Sequence, residues 1–316
     1  MVTNLPAHIP SIQPDSLERL KKLVLDSVNS EESKRAYSQG ISDFIAWYVS
    51  TNPGTGFTRA TVQAYRSHLV ARGNLAPSTI NIRITAVRRL AAEAVYNGLM
   101  KPHLASGIAQ IKGIKSEGIR TGNWLTVHQA EKFINAPDTE TLKGKRDRAL
   151  LAVLIGCGLR REEAATLGLE HIQQRDARWV IVDMKGKGGR VRTVPMPSWT
   201  KAAIDEWIAA AGFMSGRLFR PVNKGGNLAG ESMTAQSIFE TVKKYAAAIG
   251  DEKIAPHDLR RTFAKLAHKG RAALEQIQLS LGHASIQTTE RYLGVQQDLT
   301  DAPCDRLGLK LSGFGD

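Results

Sequence analysis

The sequence predicts a mainly α protein with a small antiparallel β-sheet, an α+β arrangement in two domains. Three observations predict it. Apolar residues recur at helical spacing through most of the chain, strand patterning is confined to residues 178–196, and 316 residues exceed what one hydrophobic core usually spans. The expected organisation is a helical domain over residues 14–110, a linker over 111–121, and a larger domain over 122–316 whose tail begins near 296.

In the first domain, "SLERLKKLVLDSVN" places Leu17, Leu20, Val24 and Val28 on one helical face. Ser30 is placed to cap a second helix, whose first turn is acidic and whose apolar face carries Tyr37, Ile41, Phe44, Ile45 and Tyr48. A third helix, "TRATVQAYRSHLVAR", follows the turn "NPGTG", and a fourth opens at Pro77 and closes at Gly98. No strand signal interrupts these four helices. The polar sides of the last two carry Arg59, Arg66, Arg72, Arg83, Arg88 and Arg89, which are candidates for gripping nucleic-acid phosphates. A solvated arginine face is the ordinary alternative for any one of those helices.

The stretch "IKGIKSEGIRTGNW", rich in glycine and cations, reads as a linker able to lie along a polyanion. Beyond it "TVHQAEKFINA" and "GKRDRALLAVLIGCG" read as helices. In "RWVIVDMKGKGGRVRTVPM" two β-rich runs flank a lysine- and glycine-rich turn, the pattern of a hairpin. Four more helices follow, in "SWTKAAIDEWIAAAG", "TAQSIFETVKKYAAAIG", "HDLRRTFAKLAHKG" and "RAALEQIQLSLG".

Lysine and arginine total 43 against 30 acidic residues, a formal net charge of +13. The surplus is +7 in residues 1–120 and +6 in the rest, so one cationic tail does not account for it. Such a balance favours polyanionic partners, nucleic acid first and anionic membrane second. Cys157 and Cys304 are the only cysteines, which excludes a disulfide framework and zinc-finger spacing. No apolar stretch approaches the ~20 residues of a membrane span, and the N-terminus lacks the pattern of a secretory leader. A cytoplasmic protein is the expectation.

Four places in the second domain set basic or nucleophilic side chains beside glycines. In "GCGLRREEAATL", Arg160 follows a glycine-flanked helix end and Glu163 begins the next apolar run; a cation at a helix C-terminus is the common explanation. In "MKGKGGRVRTVP", Lys187 occupies the hairpin turn between Lys185 and Arg190, as lysines of ordinary hairpins do. The turn lacks the spacing of a P-loop. In "PHDLRRTFAKLA", His257 and Arg260 share the face of a helix starting near Pro256, where dipole and guanidinium together attract an anion. In "SLGHASIQTTERYLGV", His283 follows Gly282 and Tyr292 lies nine residues on; by itself that tyrosine, beside Leu293 near a helix end, reads first as a packing residue.

Taken together and in order, "GLRREE", "GKG", "HDLRR" and "LGHASIQTTERY" resemble the tyrosine recombinase (phage integrase) family, which shares its catalytic plan with type IB topoisomerases. The resemblance implies a helical, SAM-like core-binding domain joined to a catalytic domain as a C-shaped clamp on double-stranded DNA. It implies that Arg160 and Arg260 hold the scissile phosphate, with Lys187, His257 and His283 beside it, Tyr292 as nucleophile and Glu163 as a supporting carboxylate. Lys185, Arg190 and Arg261 join Arg59, Arg66, Arg83, Arg88 and Arg89 as DNA-contact candidates. The implied enzyme is a site-specific recombinase or integrase, cytoplasmic and nucleoid-associated, needing no metal, ATP or other cofactor. It would assemble as a tetramer on DNA through a tail that carries Leu307, Leu309 and Leu311.

The residue types suit that chemistry independently. Attack on a phosphodiester gathers negative charge on its equatorial oxygens, which two arginine forks can stabilise. A phenol with a pKa of about 10 is a weak nucleophile at neutral pH, so cations and a base such as His257 are needed, and Lys187 can protonate the leaving 5′-oxygen. A phosphotyrosyl link would conserve bond energy for rejoining. Two positions depart from the family pattern: Arg261 stands where many relatives have histidine, and Gly294 where histidine or asparagine is common. A supercoil-relaxing topoisomerase and a catalytically silent DNA-binding protein are the alternatives. A two-metal transposase would need a carboxylate cluster that these boxes lack.

Overall fold

The computed structural model describes residues 12–51, 56–115, 123–186, 189 and 191–294. The chain divides into two compact units between residues 119 and 120.

The first unit is all-helical among its described residues. α1 (Pro14–Asp26) and α4 (Pro77–Tyr96) both begin with proline in the first turn, where the missing N–H costs nothing. α2 (Glu31–Thr51) has glutamates in its first turn, and α3 (Arg59–Ala71) is capped by Thr58, whose hydroxyl accepts the Thr61 N–H. A fifth helix, α5 (Pro102–Ala109), corrects the expectation of four. Eight residues with one buried anchor, Ile108, carry too little apolar periodicity to announce a helix. Residues 111–115 continue onto the same core. Ile111 is buried, and the Asn81 side chain both accepts the Ile114 N–H (2.7 Å) and donates to its carbonyl (2.9 Å).

The core of this unit collects Leu17, Leu20, Ile41, Phe44, Val62, Tyr65, Ile84 and Leu90, all essentially without exposed surface. Phe44 is its hub, with ring centroids 5.1 Å from both Phe57 and Tyr65. Burying such side chains contributes roughly 1.5–3 kcal/mol each.

In the second unit, α7 (Leu142–Gly156) is buried along its entire last two turns. A helix that is apolar all round must be enclosed, and α6 (Val127–Ile134), α9 (Ser198–Ala211) and α11 (Pro256–Lys269) pack around it. The sheet has three antiparallel strands in the order β1 (Ile172–Arg175), β2 (Arg178–Lys185), β3 (Val191–Pro195). β2 and β3 are the predicted hairpin. β1, "IQQR", was not signalled, because its residues are largely solvent-facing and show no apolar alternation. Asp176 and Ala177, both at positive φ, make the two-residue turn into β2. Pairing Ile181 with Val194 turns both into the core beside Met184 and Met196.

α8 (Arg161–Thr166), α10 (Ala235–Ala248), α12 (Leu274–Leu281) and α13 (Ile286–Leu293) complete the unit. Ala264, Ile277, Leu281 and Leu293 form a second, smaller apolar cluster that fastens α12 and α13 to α11. A charged pair, Arg146 and Asp147, lies buried in this unit. Asp147 accepts from Arg146 (Nε 2.9 Å, Nη2 2.5 Å) and from the Tyr245 hydroxyl (2.9 Å). Replacing Asp147→Ala strands the buried Arg146 cation, and denaturant unfolding is expected to show a loss of about 3–5 kcal/mol.

Candidate active site

α7 leads through Cys157, Gly158 and Leu159 to Arg160, which caps the N-terminus of α8. Gly158 adopts a left-handed conformation (φ 59°), and a Cβ there would sit 2.7 Å from the Phe263 ring. Only glycine fits both demands. Its carbonyl accepts from Arg260 Nη1 at 2.6 Å, so the tight turn positions the arginine of α11.

Glu163, in the first turn of α8, is the node of the site. It accepts the Arg160 backbone N–H (2.8 Å) and Arg160 Nη1 (2.7 Å), and Arg260 Nη1 stands 3.9 Å away. Arg192, on β3, grips both carboxylate oxygens at 2.9 and 2.8 Å and donates through Nε to the Ser280 carbonyl at 2.8 Å. Arg260 donates to the adjacent Leu281 carbonyl. Two guanidiniums thus hold consecutive carbonyls at the end of α12, where cations are favoured by the helix dipole.

That helix end delivers the remaining groups. Gly282, left-handed at φ 63°, closes α12 and lies against Arg192, where a Cβ would meet Cδ at 3.0 Å. His283 follows, its Nδ1 3.0 Å from the Thr289 hydroxyl. Tyr292, on α13, stands edge-on between two imidazoles, with centroids 5.2 Å from His283 and 5.4 Å from His257. Its hydroxyl donates to the His257 carbonyl (3.3 Å), and the Arg261 guanidinium lies 5.1 Å from its ring centre. Beside them is a cleft of about 260 Å³ lined by Arg160, Arg161, Phe239, Pro256, His257 and Arg260.

The electrostatics follow from burial among cations. Desolvation alone would raise the Glu163 carboxyl, but the hydrogen bonds from Arg192 and Arg160 prevail and hold it at about 2. Burial, then the nearby Arg160, lowers Arg260 to about 9, still charged at neutral pH. Burial and the surrounding arginines bring His283 down to about 4 and move His257 below the usual imidazole value. Burial raises the Tyr292 phenol against the opposing pull of Arg260 and Arg261.

The structure therefore brings together Arg160, Glu163, His257, Arg260, Arg261, His283 and Tyr292. Lys187 and Arg190 lie outside the described residues, and Lys185 ends β2. Among the arginines of the first unit, Arg59 and Arg89 are exposed, and Arg66 and Arg88 are half-buried. Arg83 requires a correction: it is buried, with Nη1 2.7 Å from Asp43, because its position on α4 faces α2 rather than solvent. A pattern of charges along one helix does not reveal which neighbour covers it.

Two features escaped the sequence reading. Arg192 alternates with Val194 on the inward face of β3, a signal that period-two counting along "VRTVP" contains. On α11, Arg261, Lys265 and Lys269 recur every four residues, and Lys269 and Lys265 stand 4.6 and 5.9 Å from the Trp124 ring centre. Burial, followed by Lys269 and Arg261, lowers the Lys265 ammonium.

Residues 123–298 match the model of the phage integrase family. The chain belongs to the phage integrase, or tyrosine recombinase, family. The sequence reading of an enzyme that breaks and rejoins DNA stands on that membership. The tyrosine recombinase XerC of Xylella fastidiosa is 32% identical over 260 residues, 81% of this chain and 84% of that protein. The tyrosine recombinase XerD of Vibrio cholerae is 29% identical over 274 residues, 84% and 86% of the two chains. In fold, the chain is similar to the XerH site-specific recombinase in a post-cleavage complex with a palindromic difH substrate, with a TM-score of 0.68 at 21% identity, covering 91% of this chain and 82% of that one.

Both site histidines are expected to be neutral at pH 7. A two-dimensional NMR titration should show His257 and His283 gaining protons only below the ordinary imidazole value of about 6.5, with His283 last.

Proposed function

We propose that the protein is a site-specific DNA recombinase that cuts one strand by attack of the Tyr292 oxygen on phosphorus, forming a 3′-phosphotyrosyl link. The observation that supports this most is the placement of the Tyr292 phenol between His257 and His283, within the shell of Arg160, Arg260 and Arg261. Arg160 and Arg260 then hold the non-bridging oxygens, where charge accumulates in the transition state. His257, neutral at working pH, accepts the phenolic proton, which the raised phenol does not shed unaided. The bond to the 5′-oxygen breaks, and Lys187 protonates that oxygen. Rejoining runs the same steps in reverse from a 5′-hydroxyl, so neither ATP nor a metal is consumed.

In this reading the first unit is the core-binding domain and Arg59, Arg66, Arg88 and Arg89 reach DNA, while Arg83 serves the fold. The stripe of Arg261, Lys265 and Lys269 follows the phosphates next to the one being cut. Lys185 and Arg190 flank Lys187 on the same duplex. The tail with Leu307, Leu309 and Leu311 joins protomers into a tetramer, and a head-to-tail contact of that kind closes into a ring. The protein works in the cytoplasm at the nucleoid, on a mobile element or at a chromosomal site.

Nicked suicide duplexes made from the DNA flanking the gene test the chemistry. In EDTA, the wild type is expected to give a covalent protein–DNA adduct and Tyr292→Phe none. Specific binding without adduct would point to a silent DNA-binding protein, and an adduct in the Phe variant would remove Tyr292 from its role. Salt-dependence of binding tests the stripe. Lys265→Gln and Lys269→Gln should each weaken binding across sequences and flatten the slope of log K against log salt by about 1.

A further inference from the structure

We propose that Arg192 is a positioning residue whose task is to occupy Glu163 and so keep the arginines of the cleft from being drawn further onto it and away from the phosphate. This rests on the phosphotyrosyl reading above. Three guanidiniums converge on one carboxylate that is about 5% exposed: Arg160 at 2.7 Å, Arg192 at 2.8 Å and Arg260 at 3.9 Å. They are not equivalent. Arg160 retains substantial exposed surface and, with Arg260, lines the cleft, whereas Arg192 does not line it. Every nitrogen of the Arg192 guanidinium is already engaged, two on Glu163 and one on the Ser280 carbonyl.

A buried carboxylate seeks as many cationic donors as it can reach. With Arg192 in its bidentate seat, Glu163 keeps a single side-chain bond to Arg160, and Arg260 remains beyond hydrogen-bond distance. Without Arg192, both oxygens turn to Arg160 and Arg260. The donors meant for the phosphate are then spent on a carboxylate, and an anion is left beside the place where negative charge must develop. Loss of Arg192 also releases the Ser280 carbonyl, one of the two that align α12 ahead of His283. Arg192 thereby ties β3 both to Glu163 and to the end of α12.

The test measures single-turnover adduct formation on suicide duplexes, together with binding and thermal melting, for wild type, Arg192→Ala, Arg192→Lys and the double variant Arg192→Ala with Glu163→Gln. Arg192→Ala should bind DNA with nearly unchanged affinity but form adduct roughly tenfold to hundredfold more slowly at saturating DNA. Arg192→Lys, with a point charge in place of a fork, should fall between. Neutralising Glu163 in the double variant should recover several-fold of the lost rate, which a residue serving only stability would not do. Melting confirms that each rate refers to folded protein. Wild-type speed in folded Arg192→Ala overturns the proposal alone, as does a double variant no faster than the single one. Absence of adduct from the wild type overturns the phosphotyrosyl reading and the proposal with it.

Discussion

The Glu163 carboxylate, buried among the guanidiniums of Arg160, Arg192 and Arg260, is the contact from which the rest of the site takes its position. It caps the helix that begins after Arg160, it receives β3 through Arg192, and Arg192 in turn holds the end of the helix that precedes His283. Three segments that are far apart in the chain are thereby fixed to one another by charge-assisted hydrogen bonds. One anion among three cations leaves a surplus of positive charge in a place largely shielded from water. That surplus suits a phosphate, whose own charge grows as the transition state forms.

Burial sets the protonation states of the site. The same desolvation that raises the Tyr292 phenol lowers His257 and His283, so the resting site holds a protonated phenol beside neutral imidazoles. That pairing of a neutral imidazole with a protonated phenol is the resting state that the proposed attack on phosphorus requires. The apolar cluster of Ala264, Ile277, Leu281 and Leu293 supplies this dry setting and holds the Tyr292 helix against α11.

The first unit owes its form to aromatic packing around Phe44 rather than to charge. Its arginines divide accordingly. Arg83 lies where two helices meet and pairs with Asp43, while Arg59 and Arg89 reach solvent. Neighbouring positions on one helix, Arg88 and Arg89, differ in exposure because a single residue step rotates the side chain by about 100° around the axis.

By itself the sequence determined what is local. Apolar spacing placed most of the helices, "VIVDMKGKGG" announced the hairpin, and four short boxes in order pointed to Arg160, Glu163, Lys187, His257, Arg260, His283 and Tyr292, of which the structure brings together all but Lys187, which lies outside the described residues. It passed over α5 and β1, whose residues bury too little to show a period. Tertiary structure alone decided that Arg83 is buried, that Arg192 closes on Glu163 across 29 positions, and that Lys265 and Lys269 flank Trp124. The physical reason is that a charge reads the same in sequence whether it meets water or a carboxylate. Its partner, and with it its role, is chosen only when distant segments pack and remove the water between them.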